Sequence, residues 1–288
     1  MKNKFPLMKK LLSGRQPASE LSAPKLEEFF KSCNVSRVLD YVSERTPFES
    51  IEGSELGDKK LCLICKTPRS GSTYLCSLLT DNNIADTWDH FRWAQGDIER
   101  DIEAYDAKSF EDYFLGKVNE KSGADGLFVT TISFEQFVPL YFSGIFDRYL
   151  KDATFVMLTR RDVLSQAISL YIAHQSGYFH TSVSSPDNKA KIQDVPYDAQ
   201  KILDQTNMIL NMQNDWEKVF VAEGISPLRI NYEEISGDPA TSLERILAHA
   251  GVTGHGPFSF QTKVKRVSTE RNSLMKDQFL RDMTARVV

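Results

Sequence analysis

A chain of 288 residues, 41% hydrophobic and 26% charged, is long enough to bury one large core without disulfide staples. A net charge of −4 and a pI near 5.8 exclude the broad basic face that grips a nucleic-acid backbone, so any anion site must gather its cations locally. The four cysteines, Cys33, Cys62, Cys65 and Cys76, make no disulfide framework at this length and read as small core residues of a reducing cytoplasm.

Residues 1–24 carry Lys, Ser, Pro and Gly with little periodicity and read as a loose arm. The start MKNKFPLMKKLL is basic but lacks the apolar core and cleavage site of a secretory signal, and no segment approaches the roughly 20 apolar residues of a membrane span. The expected location is cytoplasmic, with a peripheral membrane contact of Phe5, Leu7, Met8, Leu11 and Leu12 left open. From Pro24, Leu26, Phe29, Phe30 and Cys33 predict an amphipathic helix, and Val38, Leu39 and Val42 a second. These helices are candidates for a homodimer contact. Residues 45–58 read as loop.

Residues 60–79, KLCLICKTPRSGSTYLCSLL, organise the chain. Leu61 to Cys65 form the continuous apolar run of a strand buried on both faces. Pro68 and Gly71 break it, and Ser70 or Ser72 is expected to cap a helix over 72–81. A turn of small residues leading into a helix directs backbone N–H groups at one spot, where the helix dipole favours negative charge. Arg69, Ser70, Ser72 and Thr73 add a cation and three hydroxyls, so the expected ligand is a phosphate or sulfate ester, the alternative being a strand-turn-helix corner with no ligand. The loop is not a Walker A sequence, because Gly71 is followed by Ser72-Thr73 rather than by lysine. Cys62 and Cys65 have CxxC spacing, but residues three apart on a strand face opposite sides, which excludes chelation without a turn.

Further on, Ile84-Ala85 is a candidate short strand, and Thr87 to Trp93 mixes aromatic with ionisable side chains. Ser109, with Glu111 and Asp112, starts a helix that ends near Gly123; a strand over 126–132 and a helix from Phe134 to Leu150 follow. Residues 153–159, ATFVMLT, form the clearest later strand, closed by Arg160-Arg161-Asp162. Asp162 caps a helix from Val163 to Gln175, in which Val163, Ala167, Leu170, Tyr171 and His174 should face the sheet. The stretch 177–195 reads as a surface loop. A long helix runs from Pro196 to Glu223, with Ile202, Leu203, Ile209, Leu210, Trp216 and Val219 toward the core. A strand from Ser226 to Asn231, a helix capped by Asp238 with Pro239 in its first turn, a basic stretch (Lys263, Lys265, Arg266, Arg271) and a helix after Ser273 complete the chain. Alternating strands and helices predict an α/β domain with a central parallel sheet of about five strands flanked by helices, and ligands beyond the strands' carboxyl ends.

PRSGST followed by an apolar helix resembles the 5′-phosphosulfate loop of the sulfotransferases. About ninety residues later, Arg160-Arg161-Asp162 at a strand end, with Ser165 and Ser169 on the next helix, resembles their clamp on a 3′-phosphate. The chain is most similar to the bacterial Stf0 family over about residues 60–283, with 1–58 as an N-terminal extension carrying helices and 59–288 as the sulfotransferase domain. The resemblance implies a P-loop-NTPase-like sulfotransferase fold, 3′-phosphoadenosine 5′-phosphosulfate (PAPS) as donor, adenosine 3′,5′-bisphosphate (PAP) as product, and no metal. It implies donor contacts from Arg69, Ser70, Gly71, Ser72 and Thr73. The second corner offers Arg161 with Ser169, or Arg160 with Ser165 as alternatives, and Arg266 and Arg271 either close over the nucleotide or form a solvated basic tail. Where the family has a glutamate base before an aromatic residue, this chain has His90 before Phe91, with Asp89 as the substitute. Where many members carry a lysine after the glycine-rich strand, Thr130-Thr131 stands here. Trp88, Phe91 and Trp93 are either a stacking wall for a sugar or core. A carbohydrate or glycolipid acceptor is the leading expectation; the rivals are a P-loop-type small-molecule kinase and a non-catalytic nucleotide-binding module.

Overall fold

The structure is a computed structural model and describes residues 27–48, 55–93, 96–179, 191–260 and 270–285. The expectations for 1–24, most of 177–195, Lys263, Lys265 and Arg266 fall outside these residues. Four strands, β1 (Lys60–Lys66), β2 (Leu127–Ser133), β3 (Thr154–Thr159) and β4 (Leu228–Asn231), form a wholly parallel sheet in the order β2-β1-β3-β4. The parallel sheet flanked by helices is as expected, with four strands among the described residues against about five, and Ile84-Ala85 is not one of them. There Ile84 N–H donates to Leu79 O and Thr80 Oγ1 donates to Ala85 O, so a helix end takes up the backbone groups a strand would need. Only Trp88 reaches the sheet, bridging Thr130 of β2.

Around the sheet lie α1 (Val35–Ser43), α2 (Ser72–Asp81), α3 (Asp97–Ala104), α4 (Phe110–Lys121), α5 (Phe134–Phe142), α6 (Val163–Ser176), α7 (Ala199–Glu223), α8 (Tyr232–Gly237), α9 (Pro239–His249) and α10 (Glu270–Ala285). The period-2 alternation of buried strands divides the core into two layers. Leu61, Leu63 and Cys65 of β1, with Phe128, Ile132, Phe155 and Met157, pack toward α1, α4, α5 and the end of α7. Cys62 and Ile64, with Leu127, Val129, Val156 and Leu158, pack toward α2, α8 and α9. The two CxxC thiols therefore face opposite sides; both are buried, and burial pushes Cys62 up to about 12. No helix among the described residues is long and apolar enough to cross a membrane.

Two helices depart from expectation. The helix from Phe134 stops at Phe142 because Gly144 adopts φ +93°, and a π-helical turn, Phe146–Leu150, follows. On α6, Ala167 and Leu170 pack against Ile209 of α7, and Ile168 and Tyr171 join Ile202, Met275 and Phe279, so α6 is clasped by α7 and α10 rather than spread on the sheet. His174 is exposed, as is Leu210 of α7.

The N-terminal residues join the larger core. Asn34 caps α1 by accepting from Arg37 N, and Val35, Leu39 and Val42 are buried in the same cluster as the aromatic side chains of α4 and α5. Leu39→Ala is therefore expected to lower the stability of the whole chain by about 2–5 kcal/mol in a single cooperative denaturant transition. A separate early transition for α1 would contradict the shared core.

Candidate active site

The chain leaves β1 toward β2 on one side and β3 toward β4 on the other, so the loops after β1 and β3 diverge and leave a crevice at the strands' carboxyl ends. A cavity of about 760 Å³ opens there. Arg69, Gly71, Ser72 and Thr73 of the first corner line it, as do Arg160, Ser165 and Ser169 of the second.

The first corner is built on two residues with positive φ, Arg69 at +63° and Gly71 at +94°. Gly71, not Ser70 or Ser72, occupies the cap position of α2, and no side chain caps the helix, whose N-terminus opens on the cavity. Glycine is required there twice over: by its φ, and because a Cβ would lie 2.4 Å from Tyr232 Cδ2. The fully buried Gln166 of α6 ties the corners together, its Nε2 donating to Thr67 Oγ1 at 2.8 Å and to Pro68 O at 2.7 Å. Arg69 closes the same gap, donating from Nε to Ser169 Oγ at 3.0 Å and from Nη1 to Phe179 O. Burial and, after it, the charge of Arg160 push the Arg69 guanidinium below its ordinary range.

At the second corner Arg160, not Arg161, enters the cavity. The Arg160 guanidinium lies 5.2 Å from the Tyr232 ring centroid. Its buried Nε has no hydrogen-bond partner; Glu233 Oε1, 3.9 Å away, is close enough for attraction but not for a bond. Arg161 points outward, 65% exposed and bonded to Glu234 Oε1 at 3.0 Å, because the backbone turns between the two residues into the Asp162 cap of α6. Arg271 likewise stays out of the cavity, its Nε donating to Val195 O at 3.1 Å and anchoring α10. Arg266 lies outside the described residues. Ser165 Oγ donates to Asp162 Oδ2, which also accepts from Lys276 Nζ at 2.6 Å. Burial raises the Asp162 carboxyl, but the bonds from Lys276 and Ser165 outweigh it and hold the group at about 2.

His90 and Asp89, adjacent in the chain, diverge. His90 is buried, its ring 5.5 Å from that of Phe128 and its Nε2 donating to Asp86 O at 2.7 Å, and burial pushes its pKa below the usual imidazole value. The expectation of His90 at the reacting centre is corrected accordingly: Asp89 lines the cavity and His90 does not. Asp89 accepts from Lys66 Nζ at 3.0 Å and from Thr131 Oγ1. The aromatic group divides: Trp88 lines the cavity and is 36% exposed, whereas Phe91 is buried and stacked on Phe114, and Trp93 packs beside it.

The cavity residues that sequence reasoning passed over are Lys66, Tyr232 and Lys276, together with Gln166 behind the wall. Lys66 and Tyr232 sit at or just past strand ends, a position that could have singled them out. Nothing local marks Gln166 or Lys276. The residues fit an anionic nucleotide: Arg160, which lines the cavity, has a buried Nε without a hydrogen-bond partner, and Gly71 forms a cradle that a Cβ would fill, whereas Ser70, expected among the donor contacts, is fully buried and does not line the cavity. Gly71→Ala is expected to cost about 1–3 kcal/mol in stability, because it combines a strained φ with a clash against Tyr232. Chemical denaturation measures this, and a cost below a few tenths would show that the turn adapts.

A mouse sulfotransferase, SULT7A1, complexed with PAP, is a structural neighbour at 12% identity and a TM-score of 0.38, covering 83% of this chain and 69% of that one, a likeness too slight to place any residue. No curated protein matches the chain. Residues 143–282, which contribute Arg160, Ser165, Ser169, Tyr232 and Lys276 to the cavity, match the family model of the Stf0 sulphotransferases.

Proposed function

We propose that residues 59–288 form a PAPS-dependent sulfotransferase domain, with 1–58 as an extension, which moves a sulfuryl group to a hydroxyl of a carbohydrate or glycolipid in the cytoplasm. One observation carries the reading: two donor-rich corners, the α2 N-terminus with Arg69, Ser72 and Thr73 and the strand end with Arg160, line one cavity, and the buried Arg160 Nε lacks a hydrogen-bond partner. The family match over 143–282 supports it for the second corner. The first corner, outside that match, is assigned on geometry.

In this reading the α2 N-terminus with Arg69, Ser72 and Thr73 holds the 5′-phosphosulfate, and Arg160 with Ser165 and Ser169 holds the 3′-phosphate. Bound there, the donor supplies an activated sulfuryl group and a phosphate leaving group. The protein's contribution is positioning, plus stabilisation of charge on the leaving oxygen by Arg69 and the loop N–H groups. Asp89 is the group that takes the acceptor proton, since it reaches the cavity. The exposed Trp88 ring beside it offers a flat apolar surface to sugar C–H groups.

PAP at 100 times its dissociation constant should stabilise the protein by ~2.7 kcal/mol, read as a thermal shift that ATP with Mg²⁺ does not give. The reverse preference would favour a kinase. Arg160→Ala should weaken PAP binding by about 10–10²-fold in calorimetry, whereas the outward-facing Arg161→Ala should stay within about threefold. Asp89→Asn should lower transfer of labelled sulfate to a panel of disaccharides, p-nitrophenyl glycosides and glycolipids by about 10²–10⁴-fold while PAP affinity holds. Transfer that persists in Asp89→Asn would place the base elsewhere, and binding without transfer to any of the panel would favour a non-catalytic module.

A further inference from the structure

The cavity contains one ion pair whose arrangement goes beyond nucleotide binding. Lys66 is the last residue of β1, its side chain only 13% exposed, and its Nζ donates to Asp89 Oδ2 at 3.0 Å. Asp89 Oδ1 is engaged separately by Thr131 Oγ1 on the adjacent β2. Each carboxylate oxygen thus has one donor and keeps a second lone pair with which it can accept a substrate proton. Thr131 is 1% exposed and its own N–H is fixed to Trp88 O at 3.0 Å, so it has little freedom. Lys66 is the movable partner, an ammonium on a flexible four-carbon stem. Its backbone, in contrast, is held from behind: Trp216 Nε1 of α7 donates to Lys66 O at 3.4 Å.

The charge balance follows from these contacts. In the transfer, the acceptor O–H bond breaks and its proton goes to Asp89 Oδ2. The oxygen's electron pair forms the new O–S bond, and the S–O bond to the 5′-phosphate breaks with its pair leaving on the phosphate oxygen. The reacting molecules together become one unit more negative, and the Lys66–Asp89 pair passes from neutral to +1. The charge appears on Lys66, in the cavity that holds the reacting group. A cation whose partner is neutralised in the same step as the substrate gains charge stabilises the transition state more than the ground state.

We propose that Lys66 is the charge partner of proton transfer: masked by Asp89 at rest, and unmasked against the transferring sulfuryl group as Asp89 takes the acceptor's proton. This rests on the sulfuryl-transfer reading above and deepens it. It assigns to β1 a cation that neither the anion loop nor the second corner supplies.

The test uses full-length protein and two readouts, PAP binding by calorimetry and turnover of sulfate-labelled PAPS, counting both transfer to p-nitrophenyl glucoside and release to water. Lys66→Met is expected to lower kcat by about 10²-fold while leaving the PAP dissociation constant within about threefold, and Lys66→Arg to recover part of the loss. The double variant Lys66→Met/Asp89→Asn should be no slower than Asp89→Asn alone, because Lys66 acts in the step that Asp89 performs. PAP binding and an unshifted Tm show that the variants fold. Three results would overturn the proposal: wild-type kcat in Lys66→Met, a loss confined to PAP affinity, or multiplicative losses in the double variant. Failure of the underlying reading looks different, since wild-type protein would then neither bind PAP nor turn over PAPS, whatever stands at position 66.

Discussion

Two guanidiniums in one cavity, without a carboxylate bonded to either, set the constraint that the site is built to satisfy. Arg69 is held by the Ser169 hydroxyl and the Phe179 carbonyl, and Arg160 by the face of Tyr232 with Glu233 at 3.9 Å. Neutral dipoles steady Arg69, and Arg160 has only a ring and a carboxylate beyond hydrogen-bond distance, so much of their field is available to a bound anion. The cavity carboxylate nearest in sequence, Asp162, is already engaged by Lys276 and Ser165. Burial first, and the charge of Arg160 second, depress the Arg69 guanidinium, and both are unfavourable terms that a bound anion beside it would relieve.

Holding that arrangement requires the two corners to be rigid relative to each other. Parallel pairing of β1 with β3 brings their ends side by side, and Gln166 then bonds the β1 loop to α6 through both a hydroxyl and a carbonyl. Gln166 is wholly buried, so losing either bond would strand a polar group out of water. Tyr232 serves both corners: its ring lies under Arg160 and against the position where Gly71 lacks a side chain. The close approach of helix start and ring explains the glycine more fully than turn geometry alone.

Much of this was legible in the sequence because parallel strands buried on both faces leave unbroken apolar runs. LCLIC, GLFVTTI and ATFVMLT all became strands within a residue or two of expectation. The anion loop was legible for a related reason, as small residues between strand and helix leave few alternatives. What failed was the direction of side chains. Arg160 against Arg161 and Asp89 against His90 are each a choice between neighbours, decided by how the chain turns after a strand or beside a sheet edge, and composition does not encode that turn. Arg271 was misread because a basic residue in a tail carries no mark of the carbonyl it will meet, here Val195 O. Gln166 and Lys276 depend on contacts 98 or more residues away, beyond any local pattern.

The described N-terminal residues, 27–48, bear on the site through packing. α1 buries Val35, Leu39 and Val42 in the cluster that includes Phe134 and Phe137 of α5, and those two rings contact Trp216 at centroid distances of 5.5 and 5.0 Å. Asp215, next to Trp216 and fully buried, accepts from Ser32 N at 2.8 Å and Lys218 Nζ at 3.0 Å, fixing the N-terminal segment to α7. Trp216 in turn reaches Lys66 O at the end of β1. A tryptophan enclosed by Phe134, Phe137 and Phe220 cannot shift without opening the core, so the backbone of Lys66 has a firm support behind it. The strand end that leads into the loop before α2 is therefore braced through α1 as well as through α5 and α7, and none of the described residues 27–48 lines the cavity.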